Sequence, residues 1–360
     1  MRVKIDTSVF TLAKDDDKLL ELNFLLHIIF YRNRYEIGFT DGEILNSDSF
    51  RKLRPQDQKV IEDAIAYNIV SSASDFDCEV KIGGEIESIK KIFSPSEAIQ
   101  YLLQPTSIIL ENGLNDSHFM NAIFHQFDSS RRLLTYLHEG WLRYENAGGC
   151  SNVQNFLKAL VLHFQGKQKF LRCFVLLDGD KRFPTDSDKY KALKEKLNTW
   201  KVDYHVLEKR CMENYMPDEA MRSFSSDKTK EWVNAYMTLT PQQKDFYCIA
   251  EGFLKDISNF DKKEVKAKER KLMKKDLKLR KISYVRSRLN PEEKSFYNSV
   301  SNGNFLHLEK GLEISNFKLT FPMKFNDTVV VYKRNMLDRT SHQDDPHELE
   351  HIVQKIVAQI

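Results

Sequence analysis

The chain has 360 residues, 41% hydrophobic and 30% charged, enough for two or three domains with a full core, and its negative mean hydropathy argues against a membrane-embedded or disordered class. Its most apolar early stretch, Leu19 to Tyr31, is broken by Glu21, Asn23 and His27, too short and too polar to cross a bilayer, and Met1 to Asp6 lacks the apolar core of a signal peptide, which places the protein in the cytoplasm. The net charge is only +3, yet Lys262 to Arg288 carries thirteen Lys or Arg against three acids, so the rest of the chain is net acidic.

Residues 1–103 read as a small mixed α/β region. Val3 to Ile5 is a short strand, Lys18 to Tyr31 has the apolar spacing of a buried helix, and Tyr35 to Phe39 alternates as a second strand. Pro55 to Asn68 is a helix with proline in its first turn. From Pro105 the pattern sharpens. Ser107 to Leu110 is an apolar run ending in Glu111, and a polar turn through Asn112, Gly113, Asn115 and Asp116 leads to a helix from His118 to Phe127. Trp141 to Tyr144 then runs through Ala147, Gly148, Gly149, Cys150 and Ser151 into a helix from Asn152 to Phe164. Leu171 to Leu177 is continuously apolar, as a central parallel strand is, and is closed by Asp178, Gly179, Asp180 and Lys181. A helix from Lys189 to Trp200, a strand from Tyr204 to Leu207 and a helix-like segment from Met212 follow.

Strands alternating with helices predict an α/β fold over 104–224, a parallel sheet with helices on both faces. Residues 225–360 read as mainly helical, with Pro241 and Pro291 opening helices, the basic segment 262–288, and an amphipathic tail helix from Asp344 to Ile360. Ligands of an open α/β sheet bind outside the carboxyl ends of its strands. Glu111 closes one strand, Asp178 and Asp180 close the central one, and Glu213 lies just beyond the last. In Asp178-Gly179-Asp180 a small residue lets a turn aim two carboxylates at one hard cation, which can activate water or stabilise the leaving oxygen of a phosphodiester.

The series Ile108-Ile109-Leu110-Glu111-Asn112-Gly113, then Gly148-Gly149 ahead of a helix, then Phe174-Val175-Leu176-Leu177-Asp178-Gly179-Asp180-Lys181 resembles the Toprim fold, a Rossmann-like parallel sheet, over about residues 105–222. The phrase from His205 to Tyr215 resembles the third acidic motif of the overcoming-lysogenization-defect nucleases and related stand-alone Toprim nucleases of phage defence. That resemblance implies hydrolysis of phosphodiester bonds in DNA or RNA with Mg²⁺ or Mn²⁺. It makes Glu111, Asp116, Asp178, Asp180 and Glu213 the metal-site acids, and puts Lys181, with another lysine further along, on the scissile phosphate. The chain departs from the pattern where Asn112 stands in place of glycine and Asp116 falls one residue further on. The family's ATPase half has no counterpart, since no Gly-x-x-x-x-Gly-Lys-Ser/Thr loop occurs, so a partner protein would supply it. Rival expectations are a non-catalytic Toprim-like regulatory module and an RNA-processing or primase-type enzyme.

Three further signals weigh less. The basic segment, with Lys274, Lys275, Lys278, Arg280 and Lys281, suits a phosphate backbone, although a charge run is also what a solvated helix face looks like. His347-Glu348-Leu349-Glu350-His351 matches a zinc-peptidase pattern, but its helix uses Leu349, Ile352 and Ile356 for packing and has no third ligand behind it. Asp6, with Glu43, Asp75 and Asp77, resembles the start of a PIN-type ribonuclease, although an aspartate before Thr7-Ser8 also reads as a helix cap. The five cysteines (Cys78, Cys150, Cys173, Cys211 and Cys248) are scattered and read as ordinary reduced thiols.

Overall fold

In this computed structural model, residues 1–31, 34–39, 43–70, 76–83, 91–256 and 285–360 are described. Asp75 and the basic residues Lys274, Lys275, Lys278, Arg280 and Lys281 lie outside them. Among the described residues eight strands form two four-stranded sheets, each parallel throughout.

The first sheet holds β1 (Arg2–Ile5), β2 (Glu36–Phe39), β3 (Cys78–Val80) and β4 (Ile92–Phe93) in the order β2-β1-β3-β4. The last two are too short for an alternating pattern to show in the sequence. Helices Asp16–Phe30, Pro55–Val70 and Pro95–Leu103 accompany it, and Val3, Ile5, Leu22, Leu26, Ile61, Phe93 and Tyr101 fill its core. The third helix is opened by a reciprocal cap, with Ser94 Oγ accepting from Glu97 N at 3.4 Å and Glu97 Oε2 accepting from Ser94 N at 3.1 Å.

Of the PIN-type carboxylates, the two whose side chains are described, Asp6 and Asp77, are not brought together by this sheet. Asp6 leaves the end of β1 and caps the next turn by accepting from Ser8 N at 2.9 Å. Asp77 accepts from Arg2 N at 2.6 Å, at the start of the same strand. A four-residue strand is about 13 Å long, so the two acids sit at opposite ends of the sheet.

The second sheet holds β5 (Thr106–Leu110), β6 (Leu142–Asn146), β7 (Cys173–Leu177) and β8 (Asp203–Val206), ordered β6-β5-β7-β8. Every residue of β5 and β7 is buried, which explains why both read as continuous apolar runs. Alternate residues serve opposite faces. Ile108, Leu110, Phe174 and Leu176 face one core, and Ile109, Val175 and Leu177 face the other. The first of these cores continues through Trp232, Tyr247, Phe305 and Phe321 to Ile352 and Ile356, so the C-terminal helices cover one face of the sheet.

The tail helix Glu348–Val357 is fixed by a buried carboxylate. Glu348 accepts from His205 Nε2 at 2.7 Å, Glu208 N at 2.8 Å, Gln343 Nε2 at 2.9 Å and the Tyr215 hydroxyl. That arrangement also disposes of the zinc-peptidase pattern. Glu348 points into protein, while His347 and His351 are exposed and bonded through Nδ1 to Glu350 and Asp345.

Candidate metal centre

Strand order decides where the acids meet. From β5 the chain crosses to β6 on one side and returns to β7 on the other, so the crevice of the sheet opens between the carboxyl ends of β5 and β7. The register Ile108↔Phe174 and Ile109↔Val175 carries Glu111 level with Leu177, directly beside Asp178. The two strands that end in acids are therefore neighbours at the switch point.

The turn after β7 is tightly constrained. A Cβ on Gly179 would lie 2.2 Å from Lys209 O and 2.6 Å from Leu207 O, so only glycine fits against that backbone. Gly179 N donates to Lys209 O at 3.2 Å and Asp180 N to Arg210 O at 2.7 Å. Asp180 is thereby held in the left-handed region, φ 53°, a conformation few non-glycine residues adopt and one that clusters at functional sites. On the other side Gly148 and Gly149, at φ 74° and 108°, turn the chain so that Gly149 N donates to Glu111 O at 3.0 Å. Cys150 becomes the first residue of helix Cys150–His163.

The side chains then converge. The Cys150 thiol donates to Glu111 Oε1 and lies 3.8 Å from Asp180 Oδ2 and 2.8 Å from the Tyr190 hydroxyl. Asp180 Oδ2 also accepts from Lys189 Nζ at 2.6 Å and from the Tyr190 hydroxyl. Among the described residues Glu111, Cys150 and Asp180 are the one group whose ligand atoms all lie within 4.8 Å of one another. Asp178 stands next to them with Oδ1 accepting from Met212 N at 3.1 Å.

The electrostatics agree that this is one cluster. Burial pushes the Asp178 carboxyl well above its ordinary range, and Glu213, Glu111, Asp116 and Asp180 push it further. Burial also raises Asp116, to about 7, with Glu213 and Glu111 adding to the effect although Asn112 N donates to it at 2.8 Å. Glu111 is raised by burial and by Asp180, against the opposing hydrogen bond from Cys150. Asp180 goes the other way. Burial alone would raise it, but the hydrogen bonds from Lys189 and Tyr190 outweigh burial and hold it below the usual carboxylate range.

The five expected metal-site acids thus share one field, but not one set of ligand atoms. Glu111 and Asp180 are drawn together, Asp178 stands beside them, and Asp116 and Glu213 act on Asp178 through their charge. Lys181 lines a cleft of about 120 Å³ with Glu208, Asp245 and His342. Lys189, further along the chain, is the lysine that reaches Asp180. The helix expected from Lys189 begins at Lys191, because Asp188 Oδ1 accepts from Tyr190 N at 2.9 Å and frees Lys189 and Tyr190 to reach Asp180. Cys150, expected to be an ordinary thiol, is at the centre of the cluster instead; its place just after Gly148-Gly149 at a helix start was the available signal.

No helix among the described residues is long and apolar enough to cross a membrane. Compared with known proteins, the chain matches no family model, no curated protein and no solved structure.

Proposed function

We propose that the protein is a divalent-metal-dependent phosphodiesterase acting on DNA or RNA, built on a Toprim-like domain. The observation that carries the reading is the delivery of Glu111, Asp178 and Asp180 to one crevice by the adjacent strands β5 and β7 at the topological switch point. The donor set suits a divalent cation. Several carboxylates crowd together, three of them with raised affinity for protons, and a cation relieves the same repulsion that a proton does.

Glu111, Asp178 and Asp180 would hold the cation, Mg²⁺ or Mn²⁺ by the resemblance, which when bound supplies a polarised water and charge for the leaving oxygen. Lys189, 61% exposed at its side chain yet 2.6 Å from Asp180, is placed to meet a phosphate oxygen of the substrate. The buried Glu348 hub fixes the Glu208–Tyr215 segment and with it Glu213. A cluster of carboxylates repels a polyanion, so a positive surface elsewhere is needed to keep substrate near. The segment with Lys274, Lys275, Lys278, Arg280 and Lys281 has the charge for it. The resemblance to phage-defence nucleases extends the proposal to an effector that works with an ATPase partner.

The test is cleavage of supercoiled DNA, single-stranded DNA and structured RNA, with each divalent cation and with chelator. Wild type should cut one class of substrate only with metal, and Asp178→Asn should lose at least on the order of 10²-fold in rate. Cutting in chelator, or a fully active Asp178→Asn, would overturn the reading; metal binding without cleavage of any substrate would point to a silent regulatory module.

A further inference from the structure

We infer that Glu111, Cys150 and Asp180 form a site for a thiophilic divalent cation of the Zn²⁺ class, with Cys150 supplying a thiolate ligand. The inference rests on the metal site proposed above and changes which ion is expected in it.

The argument is the chemistry of the donor set. Mg²⁺ asks for an octahedral shell of hard oxygens and keeps much of its water. A sulfur in the middle of the ligand group is no use to it. Zn²⁺ accepts mixed sulfur and oxygen ligands, with Zn–S about 2.3 Å and Zn–O about 2.0–2.2 Å, which sets neighbouring ligand atoms roughly 3.3–3.8 Å apart. Here Cys150 Sγ is 3.8 Å from Asp180 Oδ2 and in contact with Glu111 Oε1, and the three donors lie within 4.8 Å of one another. Closing around a cation needs side-chain adjustments of an ångström or so, not a change of fold. Three protein ligands leave a coordination position for water or a phosphate oxygen, the pattern of catalytic rather than structural zinc.

Two features outside the donor set support the assignment. Lys189 already places a positive charge 2.6 Å from Asp180 Oδ2, from a side chain exposed enough to swing away when a metal takes that oxygen. Tyr190 touches both Sγ and Asp180 and would orient the two ligands from outside the first shell. Three of the other thiols are placed differently. Cys78 and Cys173 are buried in apolar cores, and Cys211 Sγ is engaged with Asn214 Oδ1 at 2.9 Å and with Glu213 at the edge of the acids. On metal uptake the Cys150 S–H proton passes to solvent and the sulfur lone pair to the metal.

The test is titration of the full chain with Co²⁺ under reducing conditions. One equivalent should produce a thiolate-to-Co²⁺ charge-transfer band in the near ultraviolet, and Zn²⁺ should abolish it while a large excess of Mg²⁺ should not. The band should vanish in Cys150→Ser and persist in Cys78→Ser, and Zn²⁺ affinity should fall roughly 10–100-fold in Cys150→Ser. A second measurement needs no variant. One equivalent of Zn²⁺ should shield Cys150 of the wild type from iodoacetamide in peptide mapping. Absence of the band, its persistence in Cys150→Ser, or ready displacement by Mg²⁺ would overturn the inference. If Mg²⁺ binds and supports cleavage while Co²⁺ gives no thiolate band, the inference falls and the phosphodiesterase reading stands; a Cys150-dependent band in a chain that cuts nothing gives the reverse.

Discussion

Replacing Asp116 by asparagine should stabilise the metal-free protein, and by an amount that depends on pH. An unfolded aspartate ionises near pH 4, whereas in the fold burial and the neighbouring Glu213 and Glu111 keep the Asp116 carboxyl protonated up to about pH 7. Between those values the native state holds a proton that the unfolded state has released, so stability falls as pH rises through the window and levels off above it. Each factor of ten in proton affinity is worth about 1.4 kcal/mol, which sets an upper bound of about 4 kcal/mol on the cost of ionised Asp116 at pH 8. Asparagine keeps an oxygen to accept from Asn112 N, which donates to Asp116 Oδ2 at 2.8 Å, and carries no charge at any pH. Metal-free Asp116→Asn and wild type should therefore melt alike near pH 4 and diverge above it, the variant gaining roughly 2–4 kcal/mol, or roughly 4–8 °C in Tm, by pH 8. With saturating metal the gain should shrink or reverse, because the cation relieves the same repulsion. Thermal melts in chelator across pH 4 to 8 decide the matter. A difference that is flat with pH, or a variant less stable at pH 8, would refute the claim that Asp116 belongs to the acid cluster.

Two further substitutions probe the scaffold. Glu348→Ala strands the His205, Glu208, Tyr215 and Gln343 donors in a fully buried spot, and should cost about 3 kcal/mol by denaturant unfolding; a loss within about 0.5 kcal/mol, the range of a surface change, would show that the hub is not structural. Gly179→Ala pushes a Cβ to 2.2 Å from Lys209 O, and should lower stability by about 1–3 kcal/mol and weaken divalent binding in calorimetry, whereas unchanged binding would mean that the turn does not aim the acids.

The second sheet was legible because β5 and β7 are buried on both faces and read as unbroken apolar runs, each stopped by an acid. The strand order, which makes β5 and β7 neighbours and brings Glu111 beside Asp178, is not encoded in the run of apolar residues and emerges only in the sheet. Less could be read where backbone geometry, not residue pattern, sets the outcome. Asp180 in the left-handed region and the two glycines before Cys150 swing side chains in directions that periodicity does not encode. That is why the residue pattern did not place Cys150, Tyr190 and Lys189 at the acids. In the first sheet β3 and β4 are three and two residues long, below what alternation can reveal, while the Ser94 to Glu97 capping box follows the Ser-x-x-Glu spacing in the sequence.

The central claim is that the acids at the ends of β5 and β7 hold a divalent cation. Anomalous diffraction from crystals soaked in Mn²⁺ tests it most directly. The account predicts a peak in the crevice, with carboxylate oxygens of Glu111 and of Asp178 or Asp180 at about 2.0–2.6 Å, and no such peak in Asp178→Asn soaked in parallel. Manganese bound only elsewhere, with the Glu111 and Asp180 carboxylates still occupied by Cys150, Lys189 and Tyr190, would contradict it.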